Sequence, residues 1–523
     1  MIVVPDSDII LIKSPLKLDN YNQITFSDAT AQYNYFIGLP HLEYDGCTYI
    51  RKDGVIRYST DKEENPSAPR FEDLLQYNYC MYKNKSYKDK WFYAFITDIK
   101  YQNDGMSEVT IETDVFQTWQ FNINYMNSFI EREHVSNDTI GAHTIPEGLE
   151  TGEYIIQNHI KNINLQQTNV VIASSRTPSE YTKWFGGKYN GIYSGMRYYC
   201  YPSLSVHDLS ESITELENKY PGSVTALFLA PSFLTSQTGG VVNDSSQPVE
   251  LEQTINAIST IDGYTPKNKK LLTYPYVAIN MSNGQGNNAV YHQELFTKDS
   301  EGKLRFQIEA CLTPGCSIRC YPVYYKGEAL PYDEALVLGK YPQLNWTTDT
   351  YTNWLTQNGV NIAGDVGVGL LKIIGASSIA ASTGNVSAGA IALSGATDIF
   401  NSMNSIYQHS LVGDTAKGNI NCGDVITANL NNTFHWYSMT IKQEYARVID
   451  SYFDMYGYKV NRVATPNIHK RANWDFIKCI DVNLEGDIPE KDLDKIRSLF
   501  NNGCTFWHNT STFLNYSASN SIL

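Results

Sequence analysis

Charge is scarce in this chain. Asp, Glu, Lys and Arg make up 18% of its 523 residues, against the usual quarter of a soluble globular protein. The balance leans acidic, with 55 acidic and 40 basic residues and a net charge of −15. Such a chain lacks the cations that displace counterions from a phosphate backbone, which excludes a protein that grips DNA. It is compatible with a conduit that nucleic acid slides through without adhering. Catalytic signatures are missing too: no Gly-rich phosphate loop, no Gly-x-Ser-x-Gly elbow and no His-Glu-x-x-His pair. The nine cysteines are an odd, scattered set, and Met1-Ile2-Val3-Val4-Pro5-Asp6 has no basic or apolar leader region. Reduced thiols in a protein made in a cytosol follow from these two features. Cys311, Cys316 and Cys320 lack zinc-knuckle spacing and a fourth ligand, while Cys316, Ile318 and Cys320 alternate like one strand face. They read as buried thiols, and no metal or cofactor is implied.

Aromatics are plentiful, at 13% with 38 tyrosines. Tyrosine covers area while satisfying a hydroxyl, which suits a β-rich chain with large subunit interfaces. The length exceeds what one core holds, so several folding units are expected. Residues 1–70 read as short strands and loops, for example 34–38 and 47–51. Phe71, Leu74, Leu75 and Asn78 share one helical face, predicting a helix over 70–79. A hairpin follows, 91–101 and 109–113 around Asn103-Asp104-Gly105. The start of its first strand is apolar on both faces and needs cover on both. From 150 to 351 the composition turns rich in Ser, Thr, Asn and Gly, with strand-like runs at 224–229 and 276–280. That region reads as an inserted β-rich domain.

The C-terminal segment is the most legible. Strand-like 434–441 precedes a helix over 443–456, where Tyr445, Val448, Ile449, Tyr452, Phe453 and Tyr456 recur at helical spacing before a Gly457 cap. Strands at 458–463 and 474–484 lead to a helix opened by Asp487, Pro489 and Glu490 and closed by Gly503, then a strand at 504–508. The order βαββαβ is that of a split ferredoxin-like or tube-like α+β domain.

Two polar groups invite a functional reading. Glu131-Arg132-Glu133-His134 combines carboxylates, a cation and a base, but a structural ion-pair network or interface strip is favoured over catalysis. Glu112 and Asp114 are expected to face away from Ile111 and Val115 along one strand, with no catalytic role. Lys459, Arg462, Lys470 and Arg471, near His469 and Trp474, could form a nucleic-acid patch; a solvated or subunit-facing charged edge is favoured.

One stretch stands apart. Between Lys372 and Asp398 lie 25 uncharged residues, about 38 Å as a helix and enough for a hydrocarbon core of about 30 Å. Ala376, Ala380, Gly384, Ala388, Ala392 and Ala396 recur at every fourth position, the spacing at which two helix backbones approach closely in lipid. Its larger aliphatics are Ile373, Ile374, Ile379, Val386, Ile391 and Leu393. That polarity suits a segment stored in protein and later moved into lipid. A Gly/Ala/Ser linker, or a helix packed permanently inside an oligomer, fits the same residues.

Three stretches resemble a known family. Lys90-Trp91-Phe92-Tyr93-Ala94-Phe95 continues to Asp114-Val115-Phe116-Gln117-Thr118-Trp119 and Ser128-Phe129-Ile130-Glu131-Arg132-Glu133-His134-Val135. Glu444-Tyr445-Ala446-Arg447 is followed by Ser451-Tyr452-Phe453 and by Tyr456-Gly457-Tyr458-Lys459-Val460-Asn461-Arg462-Val463. Gly486-Asp487-Ile488 leads to Phe500 and to Asn502-Gly503-Cys504-Thr505-Phe506-Trp507-His508. Together they are similar to the distal tail-tube, or tail knob, proteins of picovirus-type short-tailed phages of Gram-positive bacteria. The resemblance implies a non-enzymatic virion protein at the tail tip, assembled in the host cytoplasm. Its fold would be β-rich α+β, a multidomain tail-tube-like architecture with a central β-rich insertion and a long apolar Gly/Ala-rich loop. The implied domains are 1–149 and 421–523 as tube wall, 150–351 as knob and 352–420 as membrane-active loop. The implied partners are a homohexamer of itself, upper tail and collar proteins, the host cytoplasmic membrane, and double-stranded DNA passing without sequence-specific contact. A cell-wall glycan is a further implied partner. A polysaccharide-degrading tail enzyme and a non-cleaving adhesin are the alternatives.

Overall fold

Strands that are apolar on both faces organise the first sheet. In chain order the elements are β1 (Ser7–Ile12), β2 (Asn22–Ile24), α1 (Ala29–Ile37), β3 (His41–Cys47), β4 (Val55–Ser59) and α2 (Phe71–Leu74). They continue with β5 (Tyr79–Asn84), β6 (Trp91–Asn103), β7 (Met106–Thr113), α3 (Val115–Trp119), β8 (Asn124–Tyr125) and β9 (Ser128–Glu133). The computed structural model describes residues 7–60, 69–84, 90–162, 168–176, 186–189, 192–201, 212, 215–216, 218–220, 222–234, 240–241, 250–310, 317–338, 343–345 and 433–523. Among them the chain divides into two units, one of Met1–Glu150, Pro266–Leu271 and Glu444–Leu523, the other of Thr151–Thr265 and Leu272–Gln443.

In the first unit six described strands pair antiparallel in the order β3-β1-β5-β6-β7-β4. Ile10, Ile12, Tyr79, Met81, Tyr93 and Phe95 pack on Phe36 of α1. On the opposite face Phe92 stacks on Tyr82 at 5.4 Å and meets Trp119 of α3 at 6.1 Å. This unit therefore covers β6 on both sides by itself.

Four local expectations need correction here. Residues 34–37 lie in α1 and Gly38 caps its end; Asp28 caps the first turn by accepting from Ala31 N at 2.8 Å and the buried pair Gln32 and Phe36 is one turn apart. The expected strand at 47–51 lies earlier, in β3. The helix expected over 70–79 stops at Leu74, because Tyr79 enters β5 and its ring stacks on Phe36 at 5.3 Å. Asp114 also departs from its expected place: it caps α3, accepts from Gln117 N at 3.1 Å, and is buried.

The second unit holds β10 (Tyr154–Lys161), β11 (Thr168–Ser174), β12 (Gly186–Tyr189), β13 (Ile192–Tyr201), β14 (Val224–Pro231), β15 (Gly240–Val241) and β16 (Glu250–Asn256). It continues with β17 (Val277–Ser282), β18 (Asn288–Tyr291), β19 (Lys303–Ala310), β20 (Ile318–Pro322), β21 (Leu336–Leu338), β22 (Gln343–Asn345) and β23 (His435–Ile441). Its sheets run β10-β23-β17-β18, β12-β13-β11-β14-β22 with β15 on β13, and β16-β19-β20-β21. Strict alternation along β19 buries Leu304, Phe306, Ile308 and Ala310. Phe306 meets Tyr291 and Trp436 at 5.3 and 5.8 Å, so two of these sheets share a core. Cys320 and Ile318 are both buried on β20, as their alternation predicts. Cys311 and Cys316 lie outside the described residues.

The chain then returns to the first unit through α4 (Gln443–Tyr456), β24 (Tyr458–Ala464), β25 (Trp474–Asp481), β26 (Leu484–Glu485), α5 (Glu490–Asn502) and β27 (Cys504–Trp507). The element order is the expected one, but a ferredoxin-like sheet does not form. β23 pairs with β10 and β17, β26 pairs with β8, and β24, β25 and β27 recruit β2 and β9 into the order β2-β27-β25-β9-β24. Gly457 ends α4 at φ +63°, and a Cβ there would lie 2.1 Å from Glu133 O. Both the left-handed turn and the close approach to β9 require glycine. The protein is β-rich with few helices.

Candidate functional site

The twelve residues expected to enter a membrane, Ile373, Ile374, Ala376, Ile379, Ala380, Gly384, Val386, Ala388, Ile391, Ala392, Leu393 and Ala396, lie outside the described residues. The described ends on either side of them are both firmly held, and both belong to the second unit. On one side β22 pairs with β14, Leu344 opposite Leu227. On the other, Thr433 Oγ1 donates to Asn162 O at 2.5 Å and Asn162 N donates to Phe434 O at 3.3 Å. The following strand, β23, is hydrogen-bonded on both edges, to β10 and to β17. Phe434 and Trp436 are fully buried, 6.1 Å apart. Burial of side chains this large contributes about 2–3 kcal/mol each. The arrangement can therefore anchor both ends of the long intervening segment. Among the described residues no helix is long and apolar enough to cross a membrane.

Glu131, Arg132 and Glu133 lie on β9, between β25 and the edge strand β24 of the C-terminal sheet, and His134 follows directly. Glu133, 1% exposed, accepts from Arg462 Nε at 2.9 Å and Nη2 at 2.5 Å, and from Lys470 Nζ. Arg132 donates to Gly457 O at 2.7 Å and pairs with Glu147. Glu147, buried, also binds Lys270 Nζ and accepts from Lys459 N at 2.9 Å. Glu131 pairs with Lys478 at 2.8 Å nearer solvent. Each carboxylate is saturated by cations or backbone N–H groups, which makes this the structural ion-pair network rather than a reactive cluster. The basic group expected at an exposed edge is corrected in part: Arg462 is exposed on the edge strand β24, as expected, but two members of the group are not. Lys470 and Arg471 are buried, and Arg462 and Lys470 both serve Glu133.

His134 completes the arrangement. Its Nδ1 accepts from Phe476 N at 2.7 Å, and Nε2 donates to Asp454 O at 3.0 Å, so the ring is neutral. Burial drives its pKa down to about 4. Asp475 stands 4.0 Å from Nδ1 and accepts from Lys470 N, Arg471 N and His508 Nε2 at 2.8–3.0 Å. Burial pushes the Asp475 carboxyl up, but the His508 hydrogen bond and the two backbone N–H groups of Lys470 and Arg471 outweigh it and hold it below the usual range.

Sequence reasoning missed a second buried cluster. Asp450 on α4 accepts from Lys267 N, Asn268 N and Asn268 Nδ2 at 2.8–3.0 Å, and Asp454 takes Lys267 Nζ at 2.7 Å. This pins the 266–271 segment within the first unit. Its signal was available: Asp450 sits on the apolar face of α4 beside Ile449 and Phe453, where an unpartnered carboxylate would be costly. Among the described residues no three His, Cys, Asp or Glu side chains form a metal site.

Residues 243–521 match the family described as Bacillus phage phi29 tail knob protein gp9, C-terminal domain, which is more than half of the chain. The chain belongs to this tail knob family. Residues 6–124 also match the caudoviral major tail protein N-terminus. Tail knob protein gp9 of Bacillus phage phi29 is 26% identical over 610 aligned positions, covering 98% of this chain and 98% of the relative. The tail knob protein gp9 of Bacillus phage B103 is 24% identical, covering 94% and 95%. The bacteriophage C1 tail knob protein, gp12, is 17% identical with a TM-score of 0.64 over 99% of this chain and all of that one, a likeness of fold. Membership makes this tail knob family member a structural component of the phage tail, located in the virion, and not an enzyme. The fold is that of a tail knob.

Proposed function

We propose that six copies of this chain form the distal tube of the tail, through which DNA leaves the virion. In this reading, residues 1–149 and the C-terminal segment from α4 onward build the wall, 150–351 together with β23 the knob, and 352–420 a loop that plugs the lumen and then enters the host cytoplasmic membrane. The observation that carries it is the uncharged 25-residue run with a small residue at every fourth position, in a chain of the tail knob family. Small-residue faces let helices approach closely where lipid supplies no hydrophobic drive between them. One such helix gains little from lipid, but six can bury those faces against one another and line a pore. A net charge of −15 keeps passing DNA from adhering. Upper tail and collar proteins would receive the proximal end of the tube.

Virions carrying a deletion of residues 359–410 provide the test. They should assemble and adsorb normally yet fail to deliver DNA, and they should not depolarise host cells. Normal infectivity would refute the reading.

A further inference from the structure

The outermost strands of the first sheet, β3 and β4, are consecutive in the chain and do not pair with each other. The sheet curls until Tyr44 of β3 and Tyr58 of β4 meet edge to face, ring centroids 5.2 Å apart. The 48–54 connection closes one end of the gap. It is tied down by Asn84, whose Nδ2 donates to Ile50 O at 2.9 Å and whose Oδ1 accepts from Ile50 N at 3.3 Å. Between the two edges lies a cavity of about 600 Å³, well within the range of small-molecule sites.

Tyr44, Thr48, Tyr49, Tyr58 and Ser59 bring hydroxyls and aromatic rings to its lining, with aliphatic side chains between them. Tyr58 is 4% exposed and its phenol oxygen has no hydrogen-bond partner; the buried Tyr44 oxygen has none either. Buried polar atoms are ordinarily paired, so two orphaned phenols in the lining of one cleft mark a place built for a ligand. Burial pushes the Tyr44 phenol up to about 12 and raises Tyr58 as well, so both keep their protons. The lining's charges cancel, Arg57 pairing with Glu108 at 3.0 Å.

We propose that this cleft binds a neutral sugar, one or two pyranose rings of an oligosaccharide. A sugar hydroxyl both donates and accepts and can rotate, so it satisfies a phenol of either polarity. The tyrosine rings cover the apolar face of a pyranose, and the half of Tyr49 that faces solvent extends that platform. An apolar ligand would leave the phenols unpaired. An anion would meet the Glu108 carboxylate with Arg57 already engaged. The site is remote in sequence from the 352–420 segment, and the proposal does not depend on the tube or membrane reading.

The experiment is a calorimetric or ligand-observed NMR titration of the purified full-length chain with the N-acetylglucosamine dimer, with maltose, and with glycerol phosphate as anionic comparator. Saturable binding of a neutral sugar is expected. Tyr58→Phe should weaken it about tenfold, the loss typical of one buried hydrogen bond. Because that hydroxyl has no protein partner, the thermal midpoint of Tyr58→Phe should equal or exceed the parent's. Exposed Tyr49→Ala, which leaves the core intact, should weaken binding as well. The proposal is overturned if neither sugar binds, if glycerol phosphate alone binds, or if sugar binds both folded variants as tightly as the parent.

Discussion

Replacing Glu133 by Gln removes a buried charge from the C-terminal sheet while keeping the side chain's volume. Its two cations are not equally affected. The Arg462 side chain is half exposed and can turn to water, whereas that of Lys470 is 7% exposed and cannot. The loss is therefore mainly that of one stranded buried ammonium, about 3–5 kcal/mol. Lys470→Met is milder, about 2 kcal/mol, because Glu133 keeps both Arg462 hydrogen bonds. The double variant should be more stable than Glu133→Gln alone, since it strands no cation. The coupling should reach at least about 2 kcal/mol, within the range of contacting pairs. Urea unfolding read by tryptophan fluorescence is the assay, with Trp474 and Trp507 fully buried in the same sheet as reporters. Strict additivity, or a Glu133→Gln loss under about 1 kcal/mol, would show that Lys470 finds solvent or another partner and would refute the reasoning.

Asp450→Ala should cost about 3 kcal/mol, the value of two charge-assisted hydrogen bonds. Hydrogen exchange at the amides of Lys267 and Asn268 should accelerate far more than exchange in β5 or β6. Asn268 Nδ2 keeps Asp454 and Asp450 O as acceptors, so the loss should not exceed that figure greatly. The depressed pKa of His134, about 4 against an ordinary 6.5, sets a pH dependence. The unfolded chain takes up this proton first as pH falls, so stability is whole above pH 6.5 and declines between 6.5 and 4, by up to about 3 kcal/mol. Melting curves over that window should be steeper for the parent than for His134→Gln. Asp114 has the opposite sign: burial, only partly offset by its bonds to Gln117 N and Tyr79 Oη, raises its carboxyl to about 6, so ionisation costs stability as pH rises from 3.8 to 6. Asp114→Asn, which keeps a cap acceptor, should melt at pH 7 within about 1 kcal/mol of the parent or above it. Asp114→Ala should lose about 1–2 kcal/mol with the cap.

What the sequence disclosed depended on whether the deciding force was local. Helix α4 was legible end to end because its apolar positions, its length and Gly457 all act within a few residues. Residues 34–38 misled because aromatic side chains favour strands in general, while the helix there is decided by the Asp28 cap and by Phe36 fitting under β5 and β6. The 70–79 pattern misled in the opposite direction, since Tyr79 gains more from the sheet than from another helical turn. The candidate site divides the same way. The charge-free 373–397 run announces itself by composition alone. Nothing local shows that its following anchor, β23, joins β10 and β17 rather than the strands that come after it.

Partner choice is the information that periodicity cannot hold, and the buried charges supply some of it. The β9–β24 register shifts between Lys459 and Arg462, with Asn461 at φ +41°. Asparagine is among the few residues that tolerate this conformation without a glycine. The resulting bulge delivers Arg462 to Glu133, whose other cation, Lys470, comes from the turn before β25. A register slip by one residue in either neighbour would leave Glu133 buried against apolar side chains, a penalty of several kcal/mol. Glu131-Arg132-Glu133-His134 is therefore visible in the sequence as a polar interruption of a strand, but its meaning is topological. It admits one pair of neighbours and one alignment of each.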